Sequence, residues 1–153
     1  MGAYEVHIAN LLSFFLAQFV VANDLGLVEV EMLFDFGKAD RPKRRPDVAF
    51  ISHGRWPKGQ KVPSAPAWAV VPDLVVEVIS PTDLAVDVES KIVEYLEAGV
   101  DFVWVVYPST SRITIFDGSP TVRVVSRAGE IEGGVILPDF RLAVNRIFAD
   151  DPA

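Results

Sequence analysis

At 153 residues, half of them hydrophobic and 23% charged, the chain has the length and apolar content for one folded domain around a single core. A formal net charge of −7 argues against a protein that coats nucleic acid with a basic surface. The absence of cysteine excludes a disulfide framework and a thiolate metal site, and two histidines, His7 and His53, are too few for a histidine-rich zinc site.

Glu5–Asn23 reads as a first helix, with Leu11, Leu12, Phe14, Phe15, Phe19 and Val20 giving it a wide apolar face. The run Ile8–Ala22 has no basic stretch before it and is interrupted by Asn10, Ser13 and Gln18. It is also shorter than the ~20 residues of a membrane span, so a buried helix in a cytosolic protein is expected, with no membrane partner. After a turn at Asn23–Gly26, Leu27–Phe36 alternates as a strand, Val28, Val30, Met32 and Phe34 on one side and Glu29 and Glu31 on the other.

The next segment concentrates the positive charge. Lys38, Arg41, Lys43, Arg44, Arg45, Arg55, Lys58 and Lys61 are eight of the fourteen basic residues, against only Asp40 and Asp47. Composition leaves two readings for them, a nucleic-acid contact or a solvated loop. Pro46 introduces a second strand, Asp47–Ser52. His53–Pro72 is a long connection carrying Trp56 and Trp68, the length of a functional loop.

Asp73–Ser80 is a third strand whose near-continuous apolar run suits a central position, except that Glu77 interrupts it. Thr82 or Asp83 is placed to cap a helix reaching Ala98, which Gly99 ends. On that helix Asp87 and Lys91, and Lys91 and Tyr95, are spaced to share one face. Phe102–Tyr107 is a fourth, fully apolar strand; Arg112–Asp117 and Thr121–Ser126 form a hairpin, and a last strand falls near Phe140–Val144. This order predicts an α/β fold: a mixed sheet flanked by helices, in which three strands meander and a helix crosses over to the fourth.

An ionised glutamate in a buried strand needs a cation or a hydrogen-bonding partner. If the second and third strands are neighbours, Asp47 and Glu77 can approach each other and hold Mg²⁺ among carboxylates and water, with Lys91 beside them to orient a nucleophile or neutralise developing charge. Spacing alone leaves alternatives open. Asp47 after Pro46 also suits a residue bonding local amides, Glu77 a structural salt bridge to Lys91, and Lys91 a surface pair with Asp87. Asp73 follows Pro72 as Asp47 follows Pro46, and competes as the first acid.

The blocks RPDVAFI (Arg45–Ile51), PDLVVEVISPTD (Pro72–Asp83), D-x-x-x-K-x-x-x-Y (Asp87, Lys91, Tyr95), GV-x-x-x-W-x-V-x-P (Gly99–Pro108) and ILPDFRLAV-x-x-IF (Ile136–Phe148) together resemble the Uma2 family of restriction-endonuclease-like proteins. The resemblance spans nearly the whole chain and implies one domain over residues 1–153 with the PD-(D/E)xK nuclease core, without the hairpin that many relatives carry ahead of the first helix. It implies Asp47 and Glu77 as the acidic metal ligands, the Val78 backbone carbonyl as a further ligand, and Lys91 as the catalytic lysine moved from its usual place after the second acid. His7 matches a polar position at the start of the family's first helix; Asp73, Asp87 and Tyr95 are accessory candidates. Tyr107 stands where the family commonly has an aspartate. The expected activity is a Mg²⁺- or Mn²⁺-dependent endonuclease acting on DNA as a homodimer, the basic Lys38–Lys61 region meeting the backbone and Trp56 or Trp68 stacking on an unpaired base. The alternative is a non-catalytic DNA-binding or interaction module that keeps the fold.

Overall fold

Helix α1 (Ala3–Ala22) precedes strands β1 (Gly26–Val30), β2 (Val48–Ser52) and β3 (Leu74–Val78) in a computed structural model that describes residues 1–148. Helix α2 (Ala85–Ala98) then leads to β4 (Phe102–Tyr107), β5 (Arg112–Phe116), β6 (Arg123–Val125), β7 (Glu130–Glu132) and β8 (Arg141–Ala143). The first six strands form one sheet in chain order, and β7 and β8 pair separately. All neighbours in the large sheet are antiparallel except β3 and β4, which are parallel because α2 crosses between them. This is the expected mixed sheet.

Alternation along β3 divides the two layers. Leu74, Val76 and Val78 join the core beneath α1, which supplies Ile8, Leu12, Leu16 and Val20, all fully buried. Val75 faces the other way, into the layer built by Ile92 and Tyr95 of α2 with Val103 and Val105 of β4. A third cluster, Phe34, Ala49, Ile51 and Trp68, lies under the long 53–72 connection. Helix α1 is long and apolar enough to cross a membrane by composition, but one stripe of it is fully occupied by the sheet.

Three element boundaries differ from expectation. The strand predicted over Leu27–Phe36 stops at Val30, because Glu31 turns into the left-handed region (φ 53°) and its carbonyl accepts a hydrogen bond from Arg45 Nη1 at 2.9 Å. The chain resumes extended structure at Phe34, which bridges both Arg44 and Trp68. Neither Thr82 nor Asp83 caps α2. The N-cap is Leu84, without a side-chain bond, and the Asp83 carboxylate turns back to accept from Ser80 N–H at 2.8 Å. The short strand β7 carries no signal beyond Ile131 between two glutamates, and its partner β8 lies within the segment predicted as the last strand.

Candidate active site

The pairing of β2 with β3 sets the acids. Val48 lies opposite Val76 and Ala49 opposite Val75, a register that, carried one residue further, sets Asp47 opposite Glu77. Directly opposed residues of an antiparallel pair project to the same face, here the α2 face on which Val75 lies. Asp47 Oδ2 accepts a 2.7 Å hydrogen bond from Val78 N–H, which anchors its carboxylate across the strand gap. Glu77 is buried, at 9% exposure, and its Oε1 accepts a 2.6 Å hydrogen bond from Tyr95 Oη.

Electrostatics show how closely these groups interact. Burial is the main reason that Glu77 is pushed up to about 7; the Tyr95 bond and the Lys91 charge act in the opposite direction, and Asp47 and Asp83 push it further up. Burial also raises Asp47, against the Val78 amide and Lys91. Each carboxylate uses one oxygen in these bonds; the other, Asp47 Oδ1 or Glu77 Oε2, accepts nothing within hydrogen-bond distance from the described residues. Tyr95, desolvated and beside a carboxylate, is held protonated and serves as a donor.

Helix α2 brings Lys91 and Tyr95 to this face, one turn apart. A cavity of about 480 Å³ opens between α2 and the ends of β3 and β4, with Glu77, Lys91, Asp83, Asp87 and Arg44 among its walls. Asp47 lies one strand over from Glu77 and is not a wall residue. Arg44 is tied to Glu94 of α2 by two bonds of 2.7 and 2.8 Å, so its charge is largely satisfied there. Among the described residues no ion pair joins Lys91 to Glu77 or Asp87. The buried acid is therefore partnered by a phenol, and the amine stays at the cavity wall.

The model of the family described as "Putative restriction endonuclease", Uma2, matches residues 1–145. The chain belongs to the Uma2 family. A solved structure described as "a putative nuclease belonging to DUF820 from Anabaena variabilis" superposes with a TM-score of 0.84 at 16% identity, over 97% of this chain and 82% of that one. That likeness is one of fold: this Uma2 chain shares the overall architecture of that structure. No curated protein matches the chain.

The Uma2 fold does not gather every residue singled out in the sequence. Asp73 sits at the far end of β3, roughly 13 Å along the strand from Glu77. There it accepts from Ser52 N–H at 2.7 Å and Ser52 Oγ at 2.9 Å, and pairs with Arg55 at 3.3 Å. His7 is exposed on α1 and walls no part of the Glu77 cavity. Of the basic residues, Arg55 bonds Asp101 at 2.9 Å and the carbonyls of Val71, Pro72 and Gly99, pinning the same end of the sheet. Arg41 pairs with Glu97, Lys58 with Asp24, and Arg45 donates to the Glu31 carbonyl. Lys38, Lys43 and Lys61 are exposed. Trp68 is 1% exposed, stacked on Phe34 and met edge-on by Trp56, so it has no face to offer a base.

Asp83 is the site residue that sequence reasoning passed over, having read it as a helix cap. It walls the cavity and repels charge on both Asp47 and Glu77. The available signal was its place at the end of PDLVVEVISPTD, directly between the buried acid and the helix bearing Lys91.

Proposed function

We propose that this Uma2 protein is a divalent-metal-dependent endonuclease that hydrolyses DNA phosphodiester bonds. The observation that carries the reading is the pairing of Asp47 and Glu77. Two carboxylates withdrawn from water face the same layer, burial raises the proton affinity of both, the Asp47 charge raises that of Glu77 further, and each keeps one oxygen without a donor among the described residues. Such a pair is at its most stable around a cation.

The donor set fits a hard cation. No group of three or more His, Cys, Asp and Glu side chains among the described residues is arranged to hold a metal. Mg²⁺, however, is commonly bound by one or two carboxylates, with waters and substrate phosphate completing its shell. Asp47, Glu77 and the Val78 carbonyl would hold Mg²⁺ or Mn²⁺. When bound, the ion would supply charge neutralisation at the phosphate and acidify a bound water. The protein groups do the positioning. Val78 N–H and Tyr95 Oη fix one oxygen of each acid, and Lys91, at the wall of the cavity that Glu77 also lines, would orient the attacking water and offset negative charge developing on the phosphate. Exposed Lys38, Lys43 and Lys61 remain for the DNA backbone. One subunit offers a small basic footprint, which favours a homodimer presenting two sites to two strands, in the cytosol.

Calorimetric titration of Mg²⁺ and Mn²⁺ into the protein and its Glu77→Gln variant tests this directly, alongside nicking of supercoiled plasmid. Metal binding that the variant loses, with nicking that needs the metal, is the expected result; no binding at millimolar concentration would sink the reading. The two-carboxylate set also leaves a second reading, a DNA-binding module without catalysis. Under it Asp47→Ala and Glu77→Ala keep full DNA affinity and neither metal elicits cleavage.

A further inference from the structure

We propose that the substrate nucleotide is unpaired, and that its base is held in the apolar groove between α2 and the β4–β5 strands. This rests on the nuclease reading above and names the form of nucleic acid that the site accepts. The groove encloses about 510 Å³, with Val88, Ile92 and Val93 on one side and Tyr107 and Phe116 on the other. It shares Ile79, Asp83, Val88 and Ile92 with the cavity that holds Glu77 and Lys91, so the two form one continuous depression. A third hollow of about 390 Å³ adjoins at Ile79, Asp83 and Tyr107 and extends toward Ser80 and Ser109. The cavity and the third hollow lie at the carboxyl ends of the parallel pair β3–β4, where open α/β sheets receive ligands, and the groove runs from there, at Ile79 and Tyr107, along β4 to Phe116, which pairs with Val103 near the strand's start.

Charge assigns the parts of a nucleotide to this depression. The cavity walls mix the acids Glu77, Asp83 and Asp87 with Lys91 and the Glu94-paired Arg44, whereas the groove has only acids, Asp83 and Glu89, among its charged wall residues. A phosphate is repelled from the groove and a neutral base is not. Tyr107 and Phe116 are half-buried, and Val93 is an exposed apolar residue at the groove's edge. The volume falls in the range of small-molecule pockets, enough for one nucleoside. A base still paired and stacked in a duplex cannot enter such a pocket, so the nucleotide must be single-stranded or turned out of the helix. Stacking on aromatic faces tolerates any base and predicts little sequence preference at this position.

Fluorescence of a 2-aminopurine-labelled single strand, titrated with the protein and with its Phe116→Leu and Tyr107→Ala variants, reads occupancy of the groove. The expected result is quenching on binding, an affinity for the single strand well above that for the matching duplex, and a roughly tenfold to hundredfold loss in each variant. Equal affinity for duplex and single strand, or variants that bind as the parent does while their far-ultraviolet circular dichroism shows an intact fold, would overturn it. So would a dimer that dissociates on Val93→Glu, which would make a second copy the occupant. Hydrolysis of bis(p-nitrophenyl) phosphate by the unaltered protein, with Mn²⁺, examines the catalytic reading separately, because that ester has no base to place.

Discussion

Tyr95 donates a 2.6 Å hydrogen bond to Glu77, joining the last turn of α2 to the only carboxylate inside β3. The bond explains how an acid can stand in a strand whose five residues are all buried. It satisfies one oxygen of Glu77 and, by favouring the charged form, limits how far burial raises its pKa. A lysine salt bridge would have neutralised the acid; a phenol leaves its charge available to a cation.

Metal-free protein should lose stability as pH rises. The folded state keeps the Glu77 proton up to about pH 7, while the unfolded chain releases it near its ordinary value of 4.5. Between those values the unfolded state binds fewer protons, so stability falls with pH and stays low above about 7. The size should be roughly 3 kcal/mol. Glu77→Gln should remove the slope and unfold at higher denaturant than the parent at pH 8, measured by urea titration at pH 5 and pH 8.

Metal binding should show the opposite pH trend. Protons on Glu77 and Asp47 compete with the cation, so Mn²⁺ affinity should rise from pH 6 to pH 8, with proton release detectable by calorimetry in two buffers of different ionisation enthalpy. Tyr95→Phe keeps the buried ring and removes the donor. It should cost about 1 kcal/mol of stability and move the onset of binding to higher pH.

Lys91→Met should abolish cleavage while leaving the fold intact. No ion pair of this residue is lost among those of the described residues, so the change in unfolding free energy should stay within about 0.5 kcal/mol. A melting temperature that drops along with activity would assign Lys91 to the scaffold instead.

Arg55→Met should act only on stability. Its guanidinium links Asp73, Asp101 and three backbone carbonyls from two segments, and removing it leaves Asp73 desolvated without its cation. A loss of about 2 kcal/mol, discounted for partial exposure, is expected in chemical denaturation. Binding to nucleic acid should keep the same salt slope. Lys38, Lys43 and Lys61 mutated together to Ala should flatten that slope by about 3 on duplex DNA.

Residues that break a local pattern were readable from the sequence. Glu77 stands out because a charge interrupts VVEVI, and Lys91 and Tyr95 because helical spacing puts them on one side. The mixed sheet followed from a helix lying between two apolar strands. What could not be read depends on partners far along the chain. Arg44 finds Glu94 fifty residues away, Arg41 finds Glu97, and Arg55 finds Asp101, so three of the eight cations that looked like one basic face are paired with acids of α2 and the turn after it. The break at Glu31 has a similar origin, since the left-handed residue there is held by Arg45.

The short turn from Ser80 to Leu84 has a consequence for how this site can vary. Asp83 and Ser80 lock it with reciprocal bonds of 2.8 and 3.0 Å. Its length therefore fixes the rotational phase at which α2 begins. Adding or deleting one residue there would rotate the helix by about 100°, swinging the amine and the phenol away from the buried acid in a single event. Side chains around the cavity can be exchanged one at a time, but the spacing of that linker cannot, so its length is constrained even where its side chains, from Pro81 to Leu84, are exposed.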